Sequence, residues 1–191
     1  MNLPNKLTLM RIILVPFFVA VLLIDTIPYR YLISLIIFAV ASITDMLDGK
    51  IARKYNMVTD FGKFADPLAD KILVISAFAC FIQLDIINAV FIIIVLFREF
   101  TVTSIRLVAV ESGKVVAANM WGKAKTVSQM IAVIVVLLNG FIAELGLVGA
   151  DNMYDVMGLI NQVLLWISAL LTVISGIIYI KDNFQFIKNA K

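Results

Sequence analysis

The sequence lacks histidine and has a single cysteine, Cys80, among 191 residues. Without an imidazole, a histidine base is excluded and a zinc site is disfavoured, so a carboxylate is the expected proton acceptor. One cysteine cannot form a disulfide within the chain, and we expect it to be a packing residue. Glycine and proline are also sparse, at 9 and 4 residues. No low-complexity tract or fixed-period repeat indicates a second domain, so we predict one domain over residues 1–191.

Charged residues make up only 15% of the chain, whereas 62% are hydrophobic and the mean hydropathy is +1.04. This composition lies outside the range of soluble proteins. About 20 apolar residues cross a bilayer as a helix. Six runs of about that length occur, at residues 7–25, 31–51, 68–84, 86–108, 122–141 and 157–180. We therefore predict an all-α integral membrane protein, a bundle of six transmembrane helices with a polar cavity on its cytoplasmic side.

The distribution of charge predicts the orientation of this bundle. A net charge of +3 is too small to indicate nucleic acid as a partner. With the N-terminus inside, every basic residue except Arg30 lies in or near a cytoplasmic segment, and the external connections carry acidic residues. By the positive-inside rule, we expect a multi-pass protein of the plasma membrane with both termini in the cytoplasm.

Four aspartates lie at the cytoplasmic ends of the second and third apolar runs. Asp45 and Asp48 are three residues apart, and Asp66 and Asp70 are four apart, so on helices each pair occupies one face. The segment between the pairs contains Gly62 and turn-compatible polar residues, so we expect it to reverse the chain and bring the pairs together. Oxygen ligands of this kind suit hard divalent ions such as Mg²⁺, which proteins hold through a few carboxylates and substrate phosphates. The quartet predicts a site for one or two metal ions in phosphate chemistry.

A second group of residues is basic. Arg106, Lys123 and Lys125 fall at the cytoplasmic ends of neighbouring predicted helices, where they could converge on a phosphate. Their alternative role is to anchor the helix ends to anionic headgroups. Arg98 and Glu99 lie inside an apolar run, where an unpaired ion is costly, so we expect both to face the interior and to orient helices by pairing.

The spacing of the acidic segment resembles the signature of the CDP-alcohol phosphotransferase family. It reads Asp45-x2-Asp48-Gly49-x2-Ala52-Arg53-x8-Gly62-x3-Asp66-x3-Asp70. The resemblance implies a six-helix membrane enzyme that transfers a phosphoalcohol unit from a CDP-linked donor to an alcohol and releases CMP.

The same resemblance implies a role for each residue. Asp45, Asp48, Asp66 and Asp70 would hold the metal, two ions of Mg²⁺ or Mn²⁺, and Asp70 would also be the catalytic base. The pocket for the cytidine and phosphates would be lined by Asn5, Thr8, Gly49, Ala52, Arg53 and Gly62. Gly49 and Gly62 have no side chain, so a ligand could approach the backbone closely at these positions. Their alternative role is to allow tight helix packing or a turn.

Four further stretches resemble family members whose acceptor is sn-glycerol 3-phosphate: PNKLTLMR, FADPLADK, REFTVTSIR and WGKAKT. They imply CDP-diacylglycerol as donor, phosphatidylglycerophosphate as product, and an acceptor-phosphate site of Arg11, Arg106, Lys123 and Lys125. Headgroup anchoring is an equal alternative for Arg11.

Several alternatives stay open at this point. Inositol phosphate, serine and a second phosphatidylglycerol are alternative acceptors within the same family. A cation or proton transporter is a further alternative, because carboxylates within membranes often mark ion pathways. Transporters, however, carry such acids near the bilayer midplane, and here they gather at one interface. Large apolar helix faces are compatible with a homodimer.

Overall fold

The computed structural model describes the backbone of residues 3–54, 60–111, 119–146 and 151–184, and the side chains of residues 5–45, 68–69, 71–110, 119–146 and 153–184. Over these ranges the chain is helical apart from short turns, and no strand occurs. The described residues form six helices: α1 Leu3–Leu23, α2 Arg30–Lys54, α3 Asp60–Gln83, α4 Ala89–Glu111, α5 Met120–Glu144 and α6 Asp151–Asp182. The predicted all-α class is confirmed.

Two helices begin well before the predicted apolar runs. Helix α3 begins at Asp60 rather than at residue 68, and α6 begins at Asp151 rather than at residue 157. An apolar run marks only the part of a helix whose side chains are apolar. The helix itself is formed by backbone hydrogen bonds, which extend into the polar residues beyond that run. Gly62 therefore lies inside α3, and the expectation that it belongs to the turn is wrong.

Three helices in the described part of the chain are long and apolar enough to cross a membrane, namely Asn5–Leu23, Met120–Glu144 and Met153–Asp182. Helix α3 has a shorter apolar stretch, Lys71–Gln83. In α4, the ions of Arg98 and Glu99 interrupt the apolar sequence. The length and composition of these helices are those of a membrane protein.

The chain divides into two compact units. The first comprises Met1–Ile86 and Val133–Met157, and the second comprises Ile87–Ala132 and Gly158–Lys191. Helices α5 and α6 each contribute to both units, so the prediction of a single domain stays a prediction.

In the first unit, α1 packs against both α2 and α3. Its core is aromatic and aliphatic, and the rings of Phe18 and Phe38 lie 6.1 Å apart. At one edge, Arg30 forms ion pairs with Asp25 and, at 3.8 Å, with Glu144. Nearby in α5, Gly140 faces the ring of Tyr31, and a β-carbon at position 140 would overlap that ring.

The C-terminus of α3 closes in a Schellman motif. The amide of Ile86 donates to the carbonyl of Phe81 at 2.9 Å, and the amide of Asp85 donates to that of Ile82 at 3.0 Å. Asp85 has a φ of 55°, the left-handed conformation that this motif requires after the last helical residue. Two carbonyls at the helix end thereby gain partners, and α3 stops at a defined point.

In the second unit, α6 presents a row of polar residues inside an otherwise apolar helix. These residues are at most 2% exposed and lie three or four positions apart, on one face: Ser168, Thr172, Ser175 and Tyr179. The hydroxyls of Ser168 and Thr172 donate to carbonyls of their own helix at 2.7 Å. Gln129 of α5 donates to the Thr172 hydroxyl at 3.1 Å. Buried polar groups are thus satisfied without water, as an apolar surrounding demands.

Candidate active site

The first turns of α1 bury three polar side chains. Asn5, Thr8 and Arg11 follow one another at intervals of three residues, and all three are buried, Arg11 with only 1% exposed. This spacing places them on one face of α1. Burying a polar group is costly unless it is hydrogen-bonded. We therefore expect these three side chains either to bind a ligand or to hydrogen-bond other residues of the protein.

Arg11 forms an ion pair with Asp45, with 2.5 Å between Nη1 and Oδ1. Asp45 is partly exposed, with 39% of its side chain accessible. The pair links the polar face of α1 to the first aspartate of the predicted metal site on α2. Arg11 was predicted to bind the acceptor phosphate, and the other three residues predicted for that role belong to the second unit. The structure thus places Arg11 beside a predicted metal ligand.

The backbone places the acidic pairs on consecutive helices. Asp45 and Asp48 lie on α2, and Asp66 and Asp70 lie on α3. The side chains of Asp48, Asp66 and Asp70 lie outside the described residues, as do those predicted for the CDP pocket at Gly49, Ala52, Arg53 and Gly62.

Among the described side chains, no group of three or more histidine, cysteine or acidic residues could hold a metal ion. Of the predicted ligands, only Asp45 is part of that set. The predicted quartet therefore stays a prediction. Its chemistry fits the predicted metal, since carboxylate oxygens are the ligands that Mg²⁺ and Mn²⁺ prefer.

The second unit contains a buried ionic cluster centred on Glu99. One oxygen of this residue, Oε1, accepts from Arg98 Nη1 at 3.0 Å and from Lys125 Nζ at 2.5 Å. Arg98 also donates through Nη2 to the hydroxyl of Ser175 at 2.7 Å. Glu99 and Lys125 are buried, at 6% and 5% exposed. The expectation that Arg98 and Glu99 face the interior and join helices is confirmed.

The predicted phosphate ligands of the second unit differ in their surroundings. Lys125 is buried and paired with Glu99, whereas Lys123 and Arg106 are exposed. The Nε–H of Arg106 donates to the hydroxyl of Tyr179 at 3.2 Å, and its guanidinium carbon lies 5.7 Å from the centre of that ring. Arg106 and Lys123 thus present cations at an accessible surface, while Lys125 supplies a buried one.

The helix that carries the two lysines begins at a defined cap. The backbone N–H of Gly122 donates to Oδ1 of Asn119 at 2.8 Å, which makes Asn119 the N-cap of α5. A β-carbon at Gly122 would lie 3.5 Å from Nη2 of Arg98. This is an ordinary van der Waals distance, so Arg98 lies directly beside the first turn of α5.

The sequence reasoning missed the residues of α6 that contact these cations. Ser175 and Tyr179 were not predicted to have any role, yet they accept hydrogen bonds from Arg98 and Arg106. A signal was present, because hydroxyl-bearing residues recur every three or four positions in an apolar helix. Their contacts depend on which face of α6 meets α4, and that information is not in the local sequence.

The first unit carries an acidic pair on each of α2 and α3, and the second unit carries basic residues on α4 and α5, in helices whose composition is that of a membrane protein. The model of the CDP-alcohol phosphatidyltransferase family matches residues 1–174. The chain belongs to this family, which confirms the resemblance noted in the sequence.

Relatives match over nearly the whole chain. The chain is 42% identical to the CDP-diacylglycerol--glycerol-3-phosphate 3-phosphatidyltransferase of Bacillus subtilis (strain 168), with 99% of this chain and 98% of the relative covered. It is 36% identical to the protein of that name from Rickettsia bellii (strain RML369-C), with 94% of each covered. It is 37% identical to that from Haemophilus influenzae (strain ATCC 51907 / DSM 11121 / KW20 / Rd), with 96% and 98% covered.

Proposed function

We propose that this protein is a membrane enzyme that transfers the phosphatidyl group of CDP-diacylglycerol to sn-glycerol 3-phosphate, giving phosphatidylglycerophosphate and CMP. The observation that carries the proposal is the 42% identity to a bacterial enzyme named for this reaction, over 99% of the chain. Its place in metabolism is the synthesis of anionic phospholipids.

The donor is bound by residues of the first unit. Asp45, Asp48, Asp66 and Asp70 hold two divalent ions, Mg²⁺ or Mn²⁺. The bound ions supply positive charge that neutralises the pyrophosphate and stabilises the departing CMP. Because Arg11 pairs with Asp45 at 2.5 Å, it fixes the orientation of this first carboxylate.

The cytidine and phosphate groups of the donor occupy a pocket formed by α1, α2 and α3. Asn5 and Thr8 offer hydrogen bonds from the polar face of α1, which supports this role because both are buried on the side that carries Arg11. Gly49, Ala52 and Gly62 admit the nucleotide, and Arg53 balances its charge.

Asp70 is the catalytic base. It accepts the proton of the glycerol 1-hydroxyl as that oxygen attacks the β-phosphorus of the donor. The new oxygen–phosphorus bond forms, the bond from this phosphorus to the bridging oxygen of CMP breaks, and CMP leaves with the electron pair. Holding the two reactants in line supplies much of the acceleration, as in other phosphoryl-type transfers.

The phosphate of the acceptor is bound by Arg106, Lys123 and Lys125. Arginine offers a planar fork to phosphate oxygens, and lysine offers a mobile charge. The exposure of Arg106 and Lys123 supports this role, and Glu99 holds Lys125 in a fixed position.

The protein crosses the plasma membrane six times, with its termini and active-site cavity on the cytoplasmic side, and forms a homodimer. The lengths of the six helices and the charge asymmetry of the sequence support this topology.

The test is CMP release by the purified enzyme in detergent, with CDP-diacylglycerol, Mg²⁺ and one acceptor at a time. We expect release only with sn-glycerol 3-phosphate. Release with inositol phosphate, serine or phosphatidylglycerol instead would assign another acceptor within the family. No metal-dependent release with any alcohol would contradict the proposed transfer.

A further inference from the structure

Tyr179 meets Arg106 at the end of α6. The ring of Tyr179 is buried, at 2% exposed, in a cluster with Val102 and Ile105 of α4, and Ile180 packs against the same cluster. A ring enclosed in this way has one accessible orientation, so its hydroxyl is a fixed point at the edge of the core.

The backbone of Tyr179 is also held in place. Its carbonyl accepts from the side-chain amide of Asn183 at 2.9 Å, and the backbone N–H of Asn183 donates to the same carbonyl at 3.2 Å. These bonds satisfy a carbonyl in the last turn of α6, where helices otherwise fray. The hydroxyl of Tyr179 is therefore fixed through both its ring and its main chain.

Arg106 uses only one edge of its guanidinium in this contact. Its Nε–H donates to the Tyr179 hydroxyl oxygen, and among the described residues Nη1 and Nη2 have no partner. The two terminal nitrogens are the pair that grips a phosphate or carboxylate in a bidentate fashion. An arginine is otherwise a flexible side chain that loses considerable rotamer freedom on binding.

We infer that Tyr179 is a positioning residue for the acceptor phosphate, because it holds Arg106 by Nε so that Nη1 and Nη2 are presented together to the ligand. The inference rests on the proposed function, in which Arg106 binds the phosphate of sn-glycerol 3-phosphate. Tyr179 acts through Arg106 and does not itself contact substrate.

The test is Tyr179→Phe, which removes the hydroxyl and keeps the buried ring. A single hydrogen bond of this kind corresponds to about a 3- to 10-fold change in binding. We expect the KM for sn-glycerol 3-phosphate to rise by about that factor, with kcat, the KM for CDP-diacylglycerol and the thermal midpoint in detergent unchanged. The matched control is Tyr154→Phe, which removes an exposed hydroxyl from the same helix and leaves all four quantities unchanged.

A double-mutant cycle with Arg106→Ala tests whether Tyr179 acts through that arginine. We expect Tyr179→Phe to raise the KM no further once Arg106 is replaced. The inference is overturned by an unchanged KM in the single variant, or by an equal rise with and without Arg106. If the wild-type enzyme releases CMP without dependence on sn-glycerol 3-phosphate, the proposed function fails and this inference fails with it.

Discussion

Glu99 receives hydrogen bonds from Arg98 and Lys125 through a single carboxylate oxygen. In an apolar surrounding each of these ions would be costly alone, and each lowers the cost of burying its neighbours. Lys125 consequently has two roles, as a predicted phosphate ligand and as an ion-pair partner of the buried Glu99.

Replacing Glu99 by Gln should destabilise the protein. The substitution leaves two cations without their shared carboxylate, and breaking a buried pair from one side costs about 3–5 kcal/mol. We expect a clearly lower thermal midpoint in detergent. Asp155→Asn, an exposed acidic position on α6, is the control and should leave the midpoint unchanged.

The double variant Glu99→Gln/Lys125→Met distinguishes pairing from a general loss of packing. We expect it to be less destabilised than the sum of the two single variants, since removing Lys125 together with Glu99 leaves Arg98 as the one cation of the cluster without its carboxylate. Strict additivity would contradict the coupling of the two residues.

Asp70→Asn tests the proposed base. The amide keeps the shape of the side chain and one oxygen but cannot accept the proton. We therefore expect turnover to fall to background, while CDP-diacylglycerol binding is retained in part. The measurements are CMP release and binding of the donor to the purified variant. Near-normal turnover would remove Asp70 from this role.

At the scale of helices, α5 approaches the start of α2 closely at Gly140. Gly140 faces the ring of Tyr31 with no room for a β-carbon, whereas a β-carbon at Gly158 of α6 would meet nothing within 4 Å. Packing against Tyr31 therefore requires glycine at position 140, whereas among the described residues no packing contact requires glycine at position 158.

Gly140→Ala should lower the thermal midpoint, because an added methyl group in a packed contact costs about 1–3 kcal/mol. Gly158→Ala should keep or raise it, since alanine is favoured over glycine by about 1 kcal/mol in helices. In a Tyr31→Ala background the cost of Gly140→Ala should largely disappear. Equal effects of the two substitutions would show that helix propensity, not contact with Tyr31, decides the result.

The sequence predicts the existence of the helices well because a long apolar helix is defined by the composition of a single segment. It fails at their ends. Helix α3 extends eight residues beyond its apolar run, to Asp60, because the hydrogen bonds of a helix do not depend on hydropathy. Gly62 was placed in a turn for the same reason.

The sequence predicts only part of the candidate site, because it specifies positions within one helix but not contacts between helices. Spacing identifies residues that share one helix, such as Asp45 and Asp48. It cannot specify contacts between helices, such as Arg11 with Asp45 or Arg106 with Tyr179, because these depend on how two helix faces meet. The role of Arg11 as a phosphate ligand stays a prediction, and its contact with Asp45 could not be predicted from spacing.

For the molecule as a whole, the orientation in the membrane can be tested on one helix. Asp155 and Lys181 are exposed residues of α6, 26 positions apart. At 1.5 Å per residue this is roughly 39 Å, close to the thickness of a bilayer with its headgroups.

In a Cys80→Ser background, Asp155→Cys should react with a membrane-impermeant maleimide on intact cells, and Lys181→Cys should react only after permeabilisation. Cys80 itself is buried, so the wild-type chain should show no labelling and serves as the blank. The reverse pattern would invert the proposed topology, and labelling of both positions from outside would show that α6 does not cross the membrane.

The stem of Arg98 crosses α6 at Gly176, where a β-carbon would lie 3.2 Å from Cγ of the arginine. A side chain larger than alanine at position 176 would displace this stem and with it the guanidinium that serves Glu99 and Ser175. Natural sequences are therefore expected to vary the two positions jointly, with bulk at 176 found only where 98 carries a shorter residue.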